Sequence, residues 1–501
     1  MIQYILGLLQ TINLESISYV SAKYYLMLTI VVFAYYLLPL KKRWIALLIG
    51  SGYFFLQITD SPLKLIVFLS SIIISYFSAL LIHRSNQSTN SSISRVLLFI
   101  GIVLSTGPLI FTKLGGLLSI SLHSIPTINW IIPIGLSFYS MMIISYLSDI
   151  YSGKYEPQKN ILKYALYVSF FPIIIQGPIS RYDQLSGELF EGNRYDYSHI
   201  IRGLQLILWG FFLKYLIADK CGIFVNTVFG NSQVYVGLYV LIAAILYSIQ
   251  LYTDFLSCVT ISRGVAQLFG ITLLDNFNHP YFSTSIKDFW RRWHISLSSW
   301  LRDYIYIPLG GNRKSTTRKY INLVITFAVS GIWHGESYKF LFWGLLHSFY
   351  QIVGEILNKP KNWLFNKCQL PQGSKVRKIL ETIVTFFFVM IGWIIFRADS
   401  LKAGVKMIIS MFSHCNPWIL FDASLFRLGL NQKEFEVLFV SILILFFVSL
   451  LQEKGVKIRE WINRQNLLIR WSIYLIAIWS IWIFGTYGNV FSAANFIYGG
   501  F

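Results

Sequence analysis

The chain has 501 residues, of which 55% are hydrophobic and only 13% are charged. Soluble domains carry about 25% charged residues, so a water-soluble globular fold is excluded and an integral membrane protein is indicated. Lys and Arg number 42 against 22 Asp and Glu, a formal charge of +20; this surplus is assigned to short loops facing anionic headgroups, and no nucleic-acid partner is expected.

The first strong apolar run, Tyr24–Leu40, has no basic segment before it and is followed at once by Lys41-Lys42-Arg43. A signal peptide has its positive charge first, so this run reads as a first span with its N-terminus outside. Further candidate spans are Trp44–Leu56, Leu63–Ile82, Val96–Phe111, Trp130–Ile150, Ile200–Leu216 and Val234–Tyr252. After a central stretch come Ile321–Trp333, Phe340–Leu357, Ile379–Phe396, Phe435–Leu451 and Trp471–Phe484. Several are shorter than the ~20 residues that cross a hydrocarbon core, so interfacial and re-entrant elements are expected among roughly ten to thirteen membrane helices. The fold class is all-α, a polytopic helical bundle, read as a single domain over residues 1–501 with its core motif region at 276–347.

Every second loop is basic. Lys41-Lys42-Arg43, the linker from His83-Arg84 to Arg95, and Lys154 to Lys163 fall on one side, while Ile58-Thr59-Asp60-Ser61-Pro62 between them does not. The positive-inside rule puts the basic set in the cytoplasm, and Asn358–Lys378 joins it. The segment Phe170-Phe171-Pro172 to Gln176-Gly177-Pro178-Ile179-Ser180-Arg181 is a broken apolar run, either a loop re-entering at the interface or a wall of a substrate passage. The cysteines Cys221, Cys258, Cys368 and Cys415 form no CxxC pair, which excludes a disulfide framework and a zinc site. No metal and no bound cofactor are expected.

The chemistry concentrates between Asn276 and Gly335. Treating Ser285 to Asp303 as one helix, with Trp290 at zero and about 100° per residue, places Trp293, Leu297, Trp300 and Leu301 on one arc. Asp288, Arg291, Arg292, Ser296, Ser298, Ser299, Arg302 and Asp303 take the other side, and only Ile295 breaks the pattern. His294 falls at about 40°, inside the apolar arc. Tryptophan on one face and arginine on the other suits a helix lying in the membrane interface, where Arg291 and Arg292 hold phosphate of lipid heads or of an anionic substrate. His294 is either a satisfied core histidine or a site residue. His334 is the sharper candidate. It ends an apolar run between Gly331 and Gly335, and an ionisable side chain at membrane depth points to function; imidazole suits proton transfer near neutral pH. His347, in the next run, is expected to be structural. Asn312 and Arg313 sit in a basic turn too generic to assign alone.

Three segments carry a resemblance: Asp288-Phe289-Trp290-Arg291-Arg292-Trp293-His294-Ile295-Ser296, Tyr306-Ile307-Pro308-Leu309-Gly310-Gly311-Asn312-Arg313 and Ser330-Gly331-Ile332-Trp333-His334-Gly335. With Pro133-Ile134-Gly135-Leu136-Ser137-Phe138-Tyr139, Phe170-Phe171-Pro172, Gly177-Pro178 and the final Phe496-Ile497-Tyr498, they resemble the membrane-bound O-acyltransferase superfamily. The nearest branch is the bacterial one, which holds the alginate O-acetylase membrane subunit and the teichoic-acid D-alanyl transfer protein. The resemblance implies a central tunnel and transfer of an acyl group from a thioester donor, acetyl-CoA or an acyl-carrier protein, to a hydroxyl. It maps the catalytic histidine of the family onto His334 and the histidine of its arginine–tryptophan helix onto His294. Trp290, Arg291, Arg292, Trp293, Asn312, Arg313 and Trp333 are the accompanying substrate-binding candidates. After Tyr252-Thr253-Asp254-Phe255 many members continue with a Gly-Tyr-Ser-Asp-like sequence; here Leu256-Ser257-Cys258-Val259-Thr260 follows, a departure that bears on substrate subgroup. The expected function is O-acetylation of a cell-envelope or exported polysaccharide at the bacterial cytoplasmic membrane, directly or through a periplasmic or extracellular acetyltransferase partner, with membrane lipid around it. The alternatives are D-alanyl transfer to teichoic acid, a glycan or lipid transporter without chemistry, and a scaffold subunit of an envelope synthase.

Overall fold

The computed structural model describes residues 17–88, 91–122 and 133–487, which leaves Trp130 and the final Phe496-Ile497-Tyr498 outside the described residues. Among those described, the chain is helical with no strand. In the first half, α1 is Ala22–Leu37, α2 Arg43–Ile58, α3 Pro62–Gln87, α4 Ser91–Leu122, α5 Leu136–Tyr151, α6 Ile161–Ser169 and α7 Tyr182–Glu191. Next come α8 (Tyr197–Phe212) and α9 (Asp219–Gly230), joined by a π-helical turn at Leu213–Ala218, and the long α10 (Leu238–Leu268). The central stretch supplies α11 (Ile286–Arg292), α12 (Ile295–Leu301) and α13 (Thr316–His334). The chain closes with α14 (Tyr338–Ile356), α15 (Asn358–Lys367), α16 (Lys375–Arg397), α17 (Leu401–Ser413), α18 (Gln432–Glu453), α19 (Ile458–Arg464) and α20 (Leu467–Phe484).

Local sequence explains where helices begin. Ser61 caps α3 by accepting from Leu63 N–H, with Pro62 in the first helical position, where its missing N–H is harmless. Ser315, Ser337 and Ser374 cap α13, α14 and α16 in the same way. Seven helical runs among the described residues are long and apolar enough to cross a membrane, or eight if the α14–α15 pair, bent by 55°, counts as one span. The sequence-based expectation of ten to thirteen also includes α13, which is long enough but not apolar enough, and the shorter α1, α2 and α5. The last three have 16 residues each, about 24 Å of helix, and fall short of a ~30 Å core. The outer helices α18 and α20 turn Phe439, Ile476 and Trp482 outward, as contact with lipid tails requires.

The basic loops gather at one end of the bundle. Arg43 reaches the carbonyl of Asn193. Asn86, at the end of α3, donates to Ile150 and Tyr151 carbonyls at the end of α5. Lys154 pairs with Asp149 at 3.2 Å and Asp183 at 2.8 Å, and Arg181 pairs with Asp303. At that edge burial alone would raise the Asp303 carboxyl, but hydrogen bonds from Arg302 and Arg181 outweigh it and hold the carboxyl below its ordinary value.

Buried apolar side chains form two clusters. One is built mainly on α1–α3 and α5–α7 with the C-terminal half of α10 (Cys258–Leu268), and takes Leu297, Trp300, Leu301 and Trp333 from the central stretch. The other is built on α8–α10 and α14–α18 and takes Phe289, Trp290, Trp293 and Phe327. The chain passes from the second cluster to the first between Trp293 and Leu297, so the motif-bearing stretch lies along their seam.

Candidate active site

The single helix expected over Ser285–Asp303 is two helices. α11 stops at Arg292, Trp293 is extended, and His294 takes a left-handed conformation at φ 44° and ψ 57° before α12 starts. A non-glycine residue there is strained, and Asn276 holds it. Ile295 N–H donates to the Asn276 carbonyl at 2.9 Å. Asn276 Oδ1 accepts from Ser296 N–H at 2.9 Å and faces His294 Nδ1 at 3.3 Å. Asn278 N–H adds a bond to the Arg292 carbonyl, also 2.9 Å. Helix periodicity misses this break because the side chain that stabilises it lies 18 and 20 residues away.

The same contacts set the His294 tautomer. A backbone N–H only donates, so the Asn276 atom facing Ser296 is the oxygen, and that oxygen requires the proton of His294 on Nδ1. Nε2 then carries the lone pair. His294 is 1% exposed, and Nε2 has no hydrogen-bond partner among the described residues. The ring stands edge-on to Phe255, with centroids 4.7 Å apart, and lies 6.1 Å from Trp333.

His334 is the last residue of α13 and 2% exposed. Its ring lies 4.8 Å from Trp333, 5.1 Å from Trp343 and 5.5 Å from Phe396. Trp333 therefore touches both histidines, and its own Nε1 donates to the Ser137 carbonyl at 3.4 Å. Gly331 makes the seating possible. A Cβ there would collide with the Phe340 carbonyl and come within 3.0 Å of Leu341 Cα, while a Cβ on Gly344 across the pair would lie 3.3 Å from Gly331 Cα. α13 and α14 meet glycine to glycine, as closely packed membrane helices do.

The remaining candidates divide. Trp290 and Trp293 are buried beside the histidines. Trp290 donates through Nε1 to His347 Nδ1 at 3.2 Å, which gives His347 a packing partner. Trp293 lies among Tyr252, Phe277, Phe289 and Trp393. Arg292 is engaged by Asp288 at 3.1 Å and Glu453 at 2.8 Å. Arg291 has a side chain 79% exposed and, among the described residues, pairs only with Asp288, at 2.5 Å. Asn312 and Arg313 are exposed on the turn before α13, about 27 Å of helix from His334, and are not gathered at the histidines. Thr260, at the departure from the family pattern, is buried in α10. Sequence reasoning passed over Asn276, Phe255, Trp343 and Phe396 as site residues; only Asn276 carried a signal, as the first polar residue after the apolar run.

A model described as the membrane-bound O-acyltransferase family matches residues 16–395. The chain is 32% identical over 423 residues to a probable alginate O-acetylase of Azotobacter vinelandii, spanning 83% of this chain and 80% of that one. It is 32% identical over 401 residues to a peptidoglycan O-acetyltransferase of Helicobacter pylori, spanning 74% and 73%. A teichoic acid D-alanyltransferase of Bacillus subtilis matches at 28% over 310 residues, 59% of this chain and 76% of that one. A family match running through most of a multi-pass helical chain, with the motif histidines drawn together at its centre, makes this protein a member of the membrane-bound O-acyltransferase family and an O-acyltransferase.

Proposed function

We propose that the chain transfers an acetyl group from a thioester donor, acetyl-CoA, to a hydroxyl of a cell-envelope or exported polysaccharide, directly or through a periplasmic or extracellular acetyltransferase partner. The observation that carries this reading is the meeting of two buried histidines on the Trp333 ring, one with a lone pair turned away from protein partners. His334 acts as general base. It takes the proton of the acceptor hydroxyl as the oxygen attacks the thioester carbonyl carbon. The new C–O bond forms, the C–S bond breaks, and the proton passes from His334 to the departing thiolate, which leaves as the free thiol. No covalent enzyme intermediate is needed. His294 Nε2 accepts a hydrogen bond from a neighbouring hydroxyl of the acceptor sugar and so orients the reacting one towards His334. With Nδ1 protonated and Nε2 bare, this role suits His294 better than donation to a developing oxyanion.

The membrane is the bacterial cytoplasmic membrane, with the basic end inside and the N-terminus outside. The donor approaches from the basic end past α11, where Trp290 and Trp293 wall the site and Arg291 is available for phosphate. Arg292 is a positioning residue through Glu453. Residues 1–501 act as one unit around the 276–347 core. Acetyl is preferred to D-alanyl because the two acetylating relatives match over larger shares of the chain.

The test is the ester-linked acyl content of envelope and secreted glycans in cells lacking the gene, complemented with wild type or His334→Ala at matched membrane levels. Wild type is expected to restore a specific ester and the variant to leave it absent. Acetate released from that ester supports the reading, and D-alanine moves it to the teichoic-acid alternative. Full restoration by His334→Ala overturns the assignment of the base and favours transport or scaffolding.

A further inference from the structure

Two buried lysines, Lys113 and Lys220, make no hydrogen bond or ion pair among the described residues, and Lys113 lies on a helix that packs against α13. It lies on α4, 22 residues from Ser91, about 33 Å along the helix and therefore at the end opposite the basic loops. It is 9% exposed, and its ammonium makes no hydrogen bond or ion pair among the described residues. A buried charge without a partner at membrane depth is costly and marks a functional position.

Its surroundings place it beside the outer approach to His334. α4 packs against both α5 and α13. A Cβ on Gly101 would meet Leu147 at 3.5 Å. Since α4 and α5 run in opposite directions, moving twelve residues along each brings Lys113 level with Gly135, the residue before α5. Ser137 and Phe138, one turn on, are the contacts of Trp333. The loop after His334 carries Glu336, which falls within electrostatic reach of Lys113 without forming an ion pair to it. Lys113 also acts electrostatically on His334 itself. Among the described residues no carboxylate forms an ion pair with this lysine, on the side from which an acceptor would come.

We propose that Lys113 is a specificity-determining contact that binds an anionic group of the acceptor glycan, a sugar-acid carboxylate or a polyol phosphodiester, next to His334. The inference rests on the acyltransferase reading for the identity of the acceptor, and it is tested by binding rather than turnover. An ammonium on a flexible stem suits either anion as a point charge. An acceptor lacking the anion would leave the lysine buried and unpaired, so the site would discriminate against neutral glycans.

The experiment measures binding of two fluorescent anionic probes, an oligogalacturonate and a glycerol-phosphate oligomer, and of the carboxyl-reduced neutral oligosaccharide. The proteins, in lipid nanodiscs, are wild type, Lys113→Gln, Lys113→Arg and His334→Ala. Wild type is expected to bind at least one anionic probe tenfold or more tightly than the neutral one, and the preferred probe names the anion. Lys113→Gln should lose that preference, Lys113→Arg should keep most of it, and His334→Ala should retain it. Equal binding of the anionic probes by wild type and Lys113→Gln overturns the proposal and leaves Lys113 as a lysine reaching for the outer interface. Failure of wild type to prefer either anion overturns it as well. If His334→Ala restores the ester in cells while these binding differences persist, the base assignment fails and the anion contact stands.

Discussion

Asn276→Ala tests whether the break at His294 is held from a distance. The substitution removes one side-chain oxygen that serves two buried groups, Ser296 N–H at 2.9 Å and His294 Nδ1 at 3.3 Å. A buried donor left without its acceptor costs about 1–3 kcal/mol. Two such groups set a range of about 2–6 kcal/mol, with the lower half favoured because the Asn276 backbone carbonyl still holds Ile295. The lost bonds also release the His294 ring, so its Nε2 no longer has a fixed direction. Thermal unfolding of the purified protein in detergent reads the first effect, and ester formation at matched membrane levels reads the second. The expected result is a clear fall in unfolding temperature with a larger proportional fall in ester formation. Asn276→Asp keeps an acceptor of the same shape and should recover much of the stability. If Asn276→Ala unfolds within about 0.5 kcal/mol of wild type and forms ester at the wild-type rate, the clip described here does not hold the site.

Arg291 and Arg292 should separate although they are neighbours. Arg292→Gln removes the ion pair of Glu453 and leaves Asp288 with Arg291 alone, in a setting 12–20% exposed, and should cost about 1–3 kcal/mol, between the exposed and buried extremes; Arg291→Gln should stay within about 0.5 kcal/mol. Detergent unfolding of both variants checks this, and equal destabilisation would contradict the placement of the two side chains. Lys214 lies 2.7 Å from Asp254 and 3.0 Å from Asp219, with all three side chains at most 11% exposed. Lys214→Met leaves two carboxylates facing each other and should destabilise by about 3–5 kcal/mol, read as lost monodisperse protein on size exclusion; wild-type yield and unfolding temperature would show that the group does not hold α8 to α10.

Much of this architecture is written locally. Apolar runs with serine before them place helices such as α3, α13 and α16, with one end of each met to the residue beside it and the other missed by about a turn, because capping and hydrophobicity act over one or two turns. The burial of Trp293, Leu297, Trp300 and Leu301 also follows from spacing, and it survives the break because the chain turns about a residue that stays inside. The break itself does not follow from spacing, since Asn276 acts through space. Nor does the difference between Arg291 and Arg292, which depends on Glu453, 161 residues further on. In sequence the two arginines look alike and fall in one motif set with Asn312 and Arg313; folding separates all of these according to partners that no window of sequence contains. Lys113 escaped notice for the same reason: in the sequence it is one basic residue at the edge of an apolar run.

The seam between the two buried clusters has a consequence for how such a protein can diversify. Trp290 and Trp293, on the proposed donor approach, belong to one cluster, while Phe138 and Trp333, on the proposed acceptor approach, belong to the other. The clusters meet along α10, which is buried in both, and near the site at Trp293–His294 and the Trp333 ring. Changes in α4 or α5 can therefore reshape what is received from outside without repacking what faces the donor. One catalytic pair can in this way be inherited unchanged while the receiving half drifts.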